Sequence, residues 1–485
     1  MNWLSNKNLT PHVQQTLVLI PTAILCFFLA FASFEYPLHD YCNNYFPALL
    51  LHKGIAPESV VFDIFDFNSF IWSQGYPDEI ADFYLNSPFI STFFYPLSFL
   101  SNAVLSKLIF NLISIVLFLV ALKVHCKNYF AKKDWPFLLL IPFFFYVPIR
   151  NNIVFGQLYL LIAALTLLGY HLIVTNKKFS GEALLSLSVF IKIFPLFYLF
   201  PLIFGKQLKP ILRLMLTGVS LLAISIFIGG WGFWQSYLFD VLPNAISNES
   251  TVDFRSNAQS IDVFLKTLLV RDSYYNPTAI FNNVLAYKLI ALFCKTLIWA
   301  IAITLSFKHK ESLLKVLSVW VVALFLTQTR TATYAQILWV IPALELIKSN
   351  LSLKWKLVFA FALVAVCNLP IHWLGGAPMI FEFTRLWFSI LLAILFFSAV
   401  GFRWTRFFYK SYLILLLPML VLTLLKTEQK SPSSYVLEPN DLFFIHDFSA
   451  KNNTLIYHAL GANGNEVFQT DIRVASFDIL SLIHI

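Results

Sequence analysis

Long apolar runs, interrupted at intervals by short polar knots, set the pattern of this chain. Thr16 to Phe34 carries no charge, and its length is close to the ~20 residues a helix needs to cross a bilayer. It is longer than the apolar core of a signal peptide and lacks a convincing small-residue cleavage site after it, so it reads as a retained first span. Beyond it, six basic clusters punctuate the apolar sequence. They are Lys123/Lys127/Lys132/Lys133, Lys177/Lys178, Lys206/Lys209/Arg213, Lys308/Lys310/Lys315, Lys348/Lys354/Lys356 and Arg403/Arg406/Lys410. Positive loops stay on the cytoplasmic side, which assigns all six clusters there. Between neighbouring clusters each apolar stretch has one polar break: Arg150-Asn151-Asn152, Lys192 with Pro195, Trp231 to Asn282, Thr327 to Thr333, and His372 to Arg385. Each stretch therefore reads as out and back, with its break on the outer side.

The pattern predicts an all-α polytopic membrane protein of about 13 crossings (roughly 11–14), with the amino terminus inside and the carboxyl terminus outside. Phe137 to Pro148 and the two halves around Lys192 are short for a straight crossing, so neighbours must shield them or they must line a cavity. Pro88 to Leu100 offers a further half-span. Two outer loops carry structure of their own. Glu35 to Ser87 holds eight acids against one lysine, and Trp231 to Asn282 opens with Trp231, Phe233, Trp234 and Tyr237. Both suit short helices lying in the interface. From Thr427 the chain turns polar; Leu455 to Ala462, Asn463-Gly464 and Glu466 to Val474 have the form of a β-hairpin. The division expected is a transmembrane domain, 1–426, and an extracytoplasmic tail, 427–485.

Composition agrees. Of the residues, 59% are hydrophobic and 12% charged, with mean hydropathy +0.74, whereas a soluble domain carries about 25% charged residues. The net charge of +9 is not gathered into one patch, which argues against nucleic acid as a partner. Cys26, Cys42, Cys126, Cys294 and Cys367 have neither CxxC nor ligand spacing, so a disulfide framework or zinc site is not expected.

The candidate chemistry lies in the polar breaks. Lys192, in Val189-Phe190-Ile191-Lys192-Ile193-Phe194-Pro195, is apolar-flanked on both sides. An ionisable group at the centre of a span costs about 2.5–3.5 kcal/mol on insertion scales. It reads as a ligand for a lipid-linked phosphate, against a lysine snorkelling at a helix end. Asp40 follows the first span closely and can take a proton from an attacking hydroxyl, or be one solvated acid among eight. Asn152 and Gln157 suit sugar hydroxyls and Arg150 suits phosphate, with helix capping the alternative. Gln259, in Asn257-Ala258-Gln259-Ser260, invites the same two readings, and Arg330, in Thr327-Gln328-Thr329-Arg330-Thr331, suits phosphate or a snorkelling cation. All of these map to the outer side, which favours one extracytoplasmic cavity over the midplane site of a transporter.

In their order these motifs resemble glycosyltransferase family 87. The order is a first span, Asp40-Tyr41 with Tyr45 and Gly54, Pro88 with Tyr95-Pro96-Leu97, Gly156-Gln157, Lys192-Ile193-Phe194-Pro195, Trp231 with Tyr237, and Asn257-Ala258-Gln259-Ser260. The resemblance spans roughly residues 10 to 400. It implies a GT-C-like helical bundle in a bacterial inner membrane. It implies a polyprenyl-phosphate sugar, mannose foremost, as donor, and a lipid or glycan acceptor on the outer face. It further implies inverting transfer with Asp40 as base and Lys192 at the donor phosphate. No cofactor or metal is required, though a carboxylate-bound ion stays open. One departure is visible: family members often carry a His ahead of the late Leu-Pro-Ala-Leu-like segment. Here Thr331-Ala332-Thr333-Tyr334-Ala335-Gln336 precedes Ile341-Pro342-Ala343-Leu344 without one, leaving Tyr334 or Gln336 to hydrogen-bond in its place.

Two other readings are a flippase for lipid-linked sugars, which needs a polar path through the bilayer, and an outer-face glycan polymerase, for which Arg255 and Arg271 would serve. The topology has a direct check. In intact cells and a cysteine-free background, a membrane-impermeant thiol reagent should label Ala450→Cys and spare Lys310→Cys; the reverse would invert the assignment of sides.

Overall fold

The computed structural model describes residues 11–82, 84–131, 134–175, 179–243, 258–271, 276, 279–329, 331–374, 377–425, 444–451, 454–460 and 466–467. Apart from three strands in the tail, their regular structure is helical. The chain forms two compact units. The first is Met1–Tyr36, Leu108–Leu221 and Asp253–Thr427; the second is Pro37–Lys107, Leu222–Val252 and Glu428–Ile485.

Among the described residues, four helices are long and apolar enough to cross a membrane: Val13–Glu35, Ala103–Tyr129, Leu208–Gly229 and Val284–Lys308. A fifth candidate is the pair Tyr146–Val154 and Tyr159–Val174, bent by 112° at the break between them. Ser180–Ile191, Phe194–Phe204, Leu313–Thr327 and Thr384–Ala399 are apolar but shorter. The chain is therefore a multi-pass membrane protein, many of whose apolar helices are shorter than a straight crossing.

In the first unit the packing sorts helices by burial. Leu313–Thr327 is buried almost all round, with only Lys315 outside the buried set. Such a helix belongs at the centre of a bundle. Trp320 on it stacks on Phe200 at 4.1 Å between centroids, and Phe325 stacks on Trp339 at 4.9 Å. By contrast, Leu208, Leu212, Met215 and Val219 are exposed apolar residues on one helix, as lipid-facing side chains are. Gly169 and Gly181 let the helices Tyr159–Val174 and Ser180–Ile191 approach until a Cβ on Gly181 would sit 2.7 Å from the Gly169 carbonyl oxygen. The short crossing expected over Phe137 to Pro148 is three pieces, Trp135–Leu138, Ile141–Phe144 and the start of Tyr146–Val154.

The second unit is built from short helices. Cys42–His52 packs against Phe89–Phe94 and the 3-10 segment Tyr95–Phe99, and Trp231–Ser236 against Pro57–Ser59. The Ser225 hydroxyl accepts from Thr92 Oγ1 at 3.2 Å and Trp234 Nε1 at 3.0 Å, joining three parts of this unit. In the tail, Phe444–Lys451, Thr454–Leu460 and Glu466–Val467 form an antiparallel sheet in that order. Asn463-Gly464, the turn expected from sequence, lies outside the described residues.

Gly181→Ala should destabilise the protein by about 1–3 kcal/mol, because the methyl meets backbone that cannot yield. Gly218→Ala, whose methyl would meet only the Phe190 ring at 3.4 Å, should cost much less. Thermal unfolding of the two variants in detergent measures the difference.

Candidate functional site

The polar breaks of the first unit are bound to one another. At the bend between Tyr146–Val154 and Tyr159–Val174, Gly156 has φ 65°, and the Gln157 N–H donates to the Asn152 carbonyl at 2.8 Å. The Asn152 carboxamide, 1% exposed, donates to the carbonyls of Pro148 and Tyr334 at 2.8 Å each. Its oxygen accepts from Leu160 N–H at 3.0 Å, closing the start of the next helix. Asn151 Nδ2 donates to Thr333 Oγ1 at 2.8 Å. Tyr159 stacks on Phe194 at 5.4 Å and meets Tyr334 at 5.1 Å, so the bend touches both the segment after Lys192 and the break near residue 330.

That later break is tied in turn to the segment around Gln259. Thr331 Oγ1 donates to the Ala258 carbonyl at 2.8 Å and Ser260 Oγ to the Thr329 carbonyl at 2.5 Å. Gln259, at φ 47° and 2% exposed, spans to the last break: its Nε2 donates to the Glu382 carbonyl at 2.6 Å and its Oε1 accepts from Leu386 N–H at 3.2 Å. Asn368 Oδ1 accepts from Val147 N–H at 3.0 Å, returning to the first break.

This network shows how several candidates are held. The Asn152 and Gln259 amides hydrogen-bond to backbone. Ser260 caps its helix, accepting from Val263 N–H at 3.1 Å. Arg150 is partly exposed, with a nitrogen donating to Asn151 Oδ1 at 3.2 Å and the guanidinium 5.8 Å from the Tyr36 ring centroid. Lys192 is partly exposed in extended backbone at the end of Ser180–Ile191, where the helix stops. Gln157 is buried. Arg330, Arg255 and Asn257 lie outside the described residues. At the expected histidine position, Gln336 is 1% exposed and its Oε1 accepts from Trp339 Nε1 at 2.9 Å.

Asp40 belongs to the second unit. It sits in the one-turn 3-10 helix His39–Tyr41, entered through His39 at φ 55°. Its side chain is 17% exposed and lies 3.4 Å from His39 Nδ1. Two charged residues that the sequence reading passed over hold this turn. Glu79 accepts from Leu38 N–H at 2.7 Å through one carboxylate oxygen and from His39 N–H at 3.3 Å through the other. Lys107, 1% exposed at the start of the helix Ala103–Tyr129, donates to the Pro37 carbonyl at 2.7 Å. Tyr41 hydroxyl pairs with Ser106 Oγ at 2.6 Å.

Neighbouring groups are kept protonated. Burial pushes the Tyr41 phenol up and the Tyr45 phenol up to about 12. Burial also raises the Cys42 thiol well above its ordinary value; the charge of Glu79 adds to this, Lys107 opposes it, and Asp40 adds a smaller push. Asp40 is left as a part-exposed carboxylate whose partner acid, Glu79, is occupied by backbone. The signal for Lys107 was in the sequence, as a single charge inside an apolar run; Glu79 was one acid among eight. Among the described residues no group of three or more His, Cys, Asp or Glu could hold a metal ion.

A model of glycosyltransferase family 87 matches residues 84–329, just over half of the 485. The chain belongs to glycosyltransferase family 87. As a family 87 protein it is a membrane glycosyltransferase, which takes a sugar donor and an acceptor. The matched stretch includes Arg150, Asn152, Gln157, Lys192 and Gln259; Asp40 precedes it and Arg330 follows it by one residue. No curated protein matches the chain.

Asn152→Ala would strand the Leu160 N–H and remove a donor from the carbonyls of Pro148 and Tyr334. Each buried group left without a partner costs about 1–3 kcal/mol. A lowered unfolding midpoint in detergent is the expected outcome, and an unchanged one would remove Asn152 from the framework.

Proposed function

We propose that this family 87 chain moves a hexose, mannose foremost, from a polyprenyl-phosphate sugar to a lipid or glycan acceptor. The transfer takes place on the outer face of a bacterial inner membrane, with inversion at the anomeric carbon. The observation that carries the mechanistic part is the part-exposed Asp40 carboxylate on a turn held by Glu79 and Lys107. Asp40 takes the proton of the acceptor hydroxyl as its oxygen bonds to the anomeric carbon. The bond from that carbon to the phosphate oxygen breaks, and polyprenyl phosphate leaves with the electron pair. A phosphate is already a competent leaving group, so the step needs no metal.

For the donor phosphate the reading uses two partly exposed cations, Lys192 at the end of a helix and Arg150 within the helix Tyr146–Val154 before the bend, with Arg330 a third in sequence. Arg150 offers a planar fork suited to phosphate oxygens, and Lys192 a point charge. The same reading keeps the topology of about 13 crossings that the hydropathy pattern suggests.

Asp40→Asn should lower transfer of radiolabelled hexose from polyprenyl phosphate to a membrane extract by about 10²–10⁴-fold, the usual worth of a general base. Donor binding should persist. Wild-type transfer by Asp40→Asn would remove the base; movement of lipid-linked sugar across proteoliposomes without transfer would establish a flippase instead.

A further inference from the structure

Resting on the reading of Asp40 as base, the structure assigns Glu79 and Lys107 as a pair of positioning residues that aim the Asp40 carboxylate. The case begins with the turn. His39 is a non-glycine residue at φ 55°, and a conformation of this kind is strained and persists only where its surroundings over-determine it. It precedes Asp40 directly, so the direction of the Asp40 side chain depends on the backbone staying in that state.

Three hydrogen bonds hold it there. Glu79 binds two successive N–H groups, of Leu38 and His39, one to each oxygen. Lys107 binds the carbonyl of Pro37 from the other direction of the peptide. Donors and acceptor of consecutive residues 37, 38 and 39 are thus fastened by opposite charges, and charge-assisted hydrogen bonds of this kind are about twice as strong as neutral ones. A buried ammonium and a carboxylate are costly for the modest task of holding a loop. The fold nonetheless prepares Glu79 with care. Trp72 Nε1 donates to the Glu79 carbonyl at 2.9 Å, and the Asn68 carboxamide brackets Ala81, accepting from its N–H at 2.8 Å and donating to its carbonyl at 3.1 Å. The loop bearing Glu79 is therefore fastened to the helix Ile64–Ser73 at Glu79 itself and two residues after it.

The pair also sets the electrostatic surroundings of the base. The charges of both Glu79 and Asp40 act on the Lys107 ammonium. Among the described residues, His39 lies 3.4 Å from the Asp40 carboxylate, and the charges of Asp40 and Glu79 both act on Cys42 and Lys107. A Gln at 79 keeps the shape but can accept through one oxygen only, and it removes the negative charge that acts on Lys107. A Met at 107 removes the bond to Pro37 and the positive charge together.

The test uses full-length protein in detergent or nanodiscs, with polyprenyl-phosphate hexose as donor. Glu79→Gln and Lys107→Met should each lower kcat by about tenfold to a hundredfold, the effect of misplacing a reacting group by about an ångström. The KM for donor should stay within about twofold, since neither residue is assigned to the donor. The acid limb of the rate profile should move to lower pH in Glu79→Gln, where a negative neighbour is lost, and to higher pH in Lys107→Met. A residue serving stability alone would not move the limb in opposite senses. If Glu79→Gln does not fold, Glu79→Asp, which retains the charge, should show a smaller kcat loss and an unmoved limb. Wild-type kcat in both variants, or a loss confined to donor KM, would overturn the assignment. Those outcomes with an inactive Asp40→Asn leave the base in place, whereas wild-type transfer by Asp40→Asn removes base and pair together.

Discussion

A helix that stops within an apolar layer leaves backbone N–H and C=O groups that neither lipid nor its own turns can satisfy. The first unit is organised by how that constraint is met. Its helices stop often, at residues near 155, 192, 259, 330 and 370–385, and several of these stops are hydrogen-bonded to groups from another stop. Asn152 closes the start of the following helix while binding Tyr334, Asn368 supports Val147, and Gln259 spans Glu382 to Leu386. Once the breaks depend on one another in this way they must lie in one layer, and polar side chains can collect there at little extra cost.

The second unit solves a different problem, that of holding one short turn in a conformation its residues do not prefer. The loop after the helix Ile64–Ser73 delivers Glu79, and the first turn of Ala103–Tyr129 delivers Lys107. Burial keeps the surrounding phenols and the Cys42 thiol protonated. The Asp40 side chain stands partly exposed among these protonated neighbours.

Membership of glycosyltransferase family 87 rests on residues 84–329, a stretch that contains most of the breaks and Lys107 but neither Asp40 nor Glu79. The family therefore supports the type of reaction, and the geometry of the turn supports the part given to Asp40. These are separate lines of argument, one from resemblance across the helical region and one from hydrogen bonds around the Asp40 turn.

Hydropathy and basic clusters were enough to read a multi-pass helical membrane protein, because solvent choice is a property of each segment taken alone. The order of motifs was enough to suggest the family, and the positions of the helix breaks could be read as polar knots. Sequence could not separate ligand from framework at Asn152 or Gln259, since a carboxamide suits sugar hydroxyls and backbone equally. Only the fold shows which partner is within reach. Nor could it pick Glu79 from eight acids in the loop or join it to Leu38 and His39, some forty residues away. Segmental composition is local and was legible; the pairing of charges with a strained turn is made by chain reversal and belongs to tertiary structure.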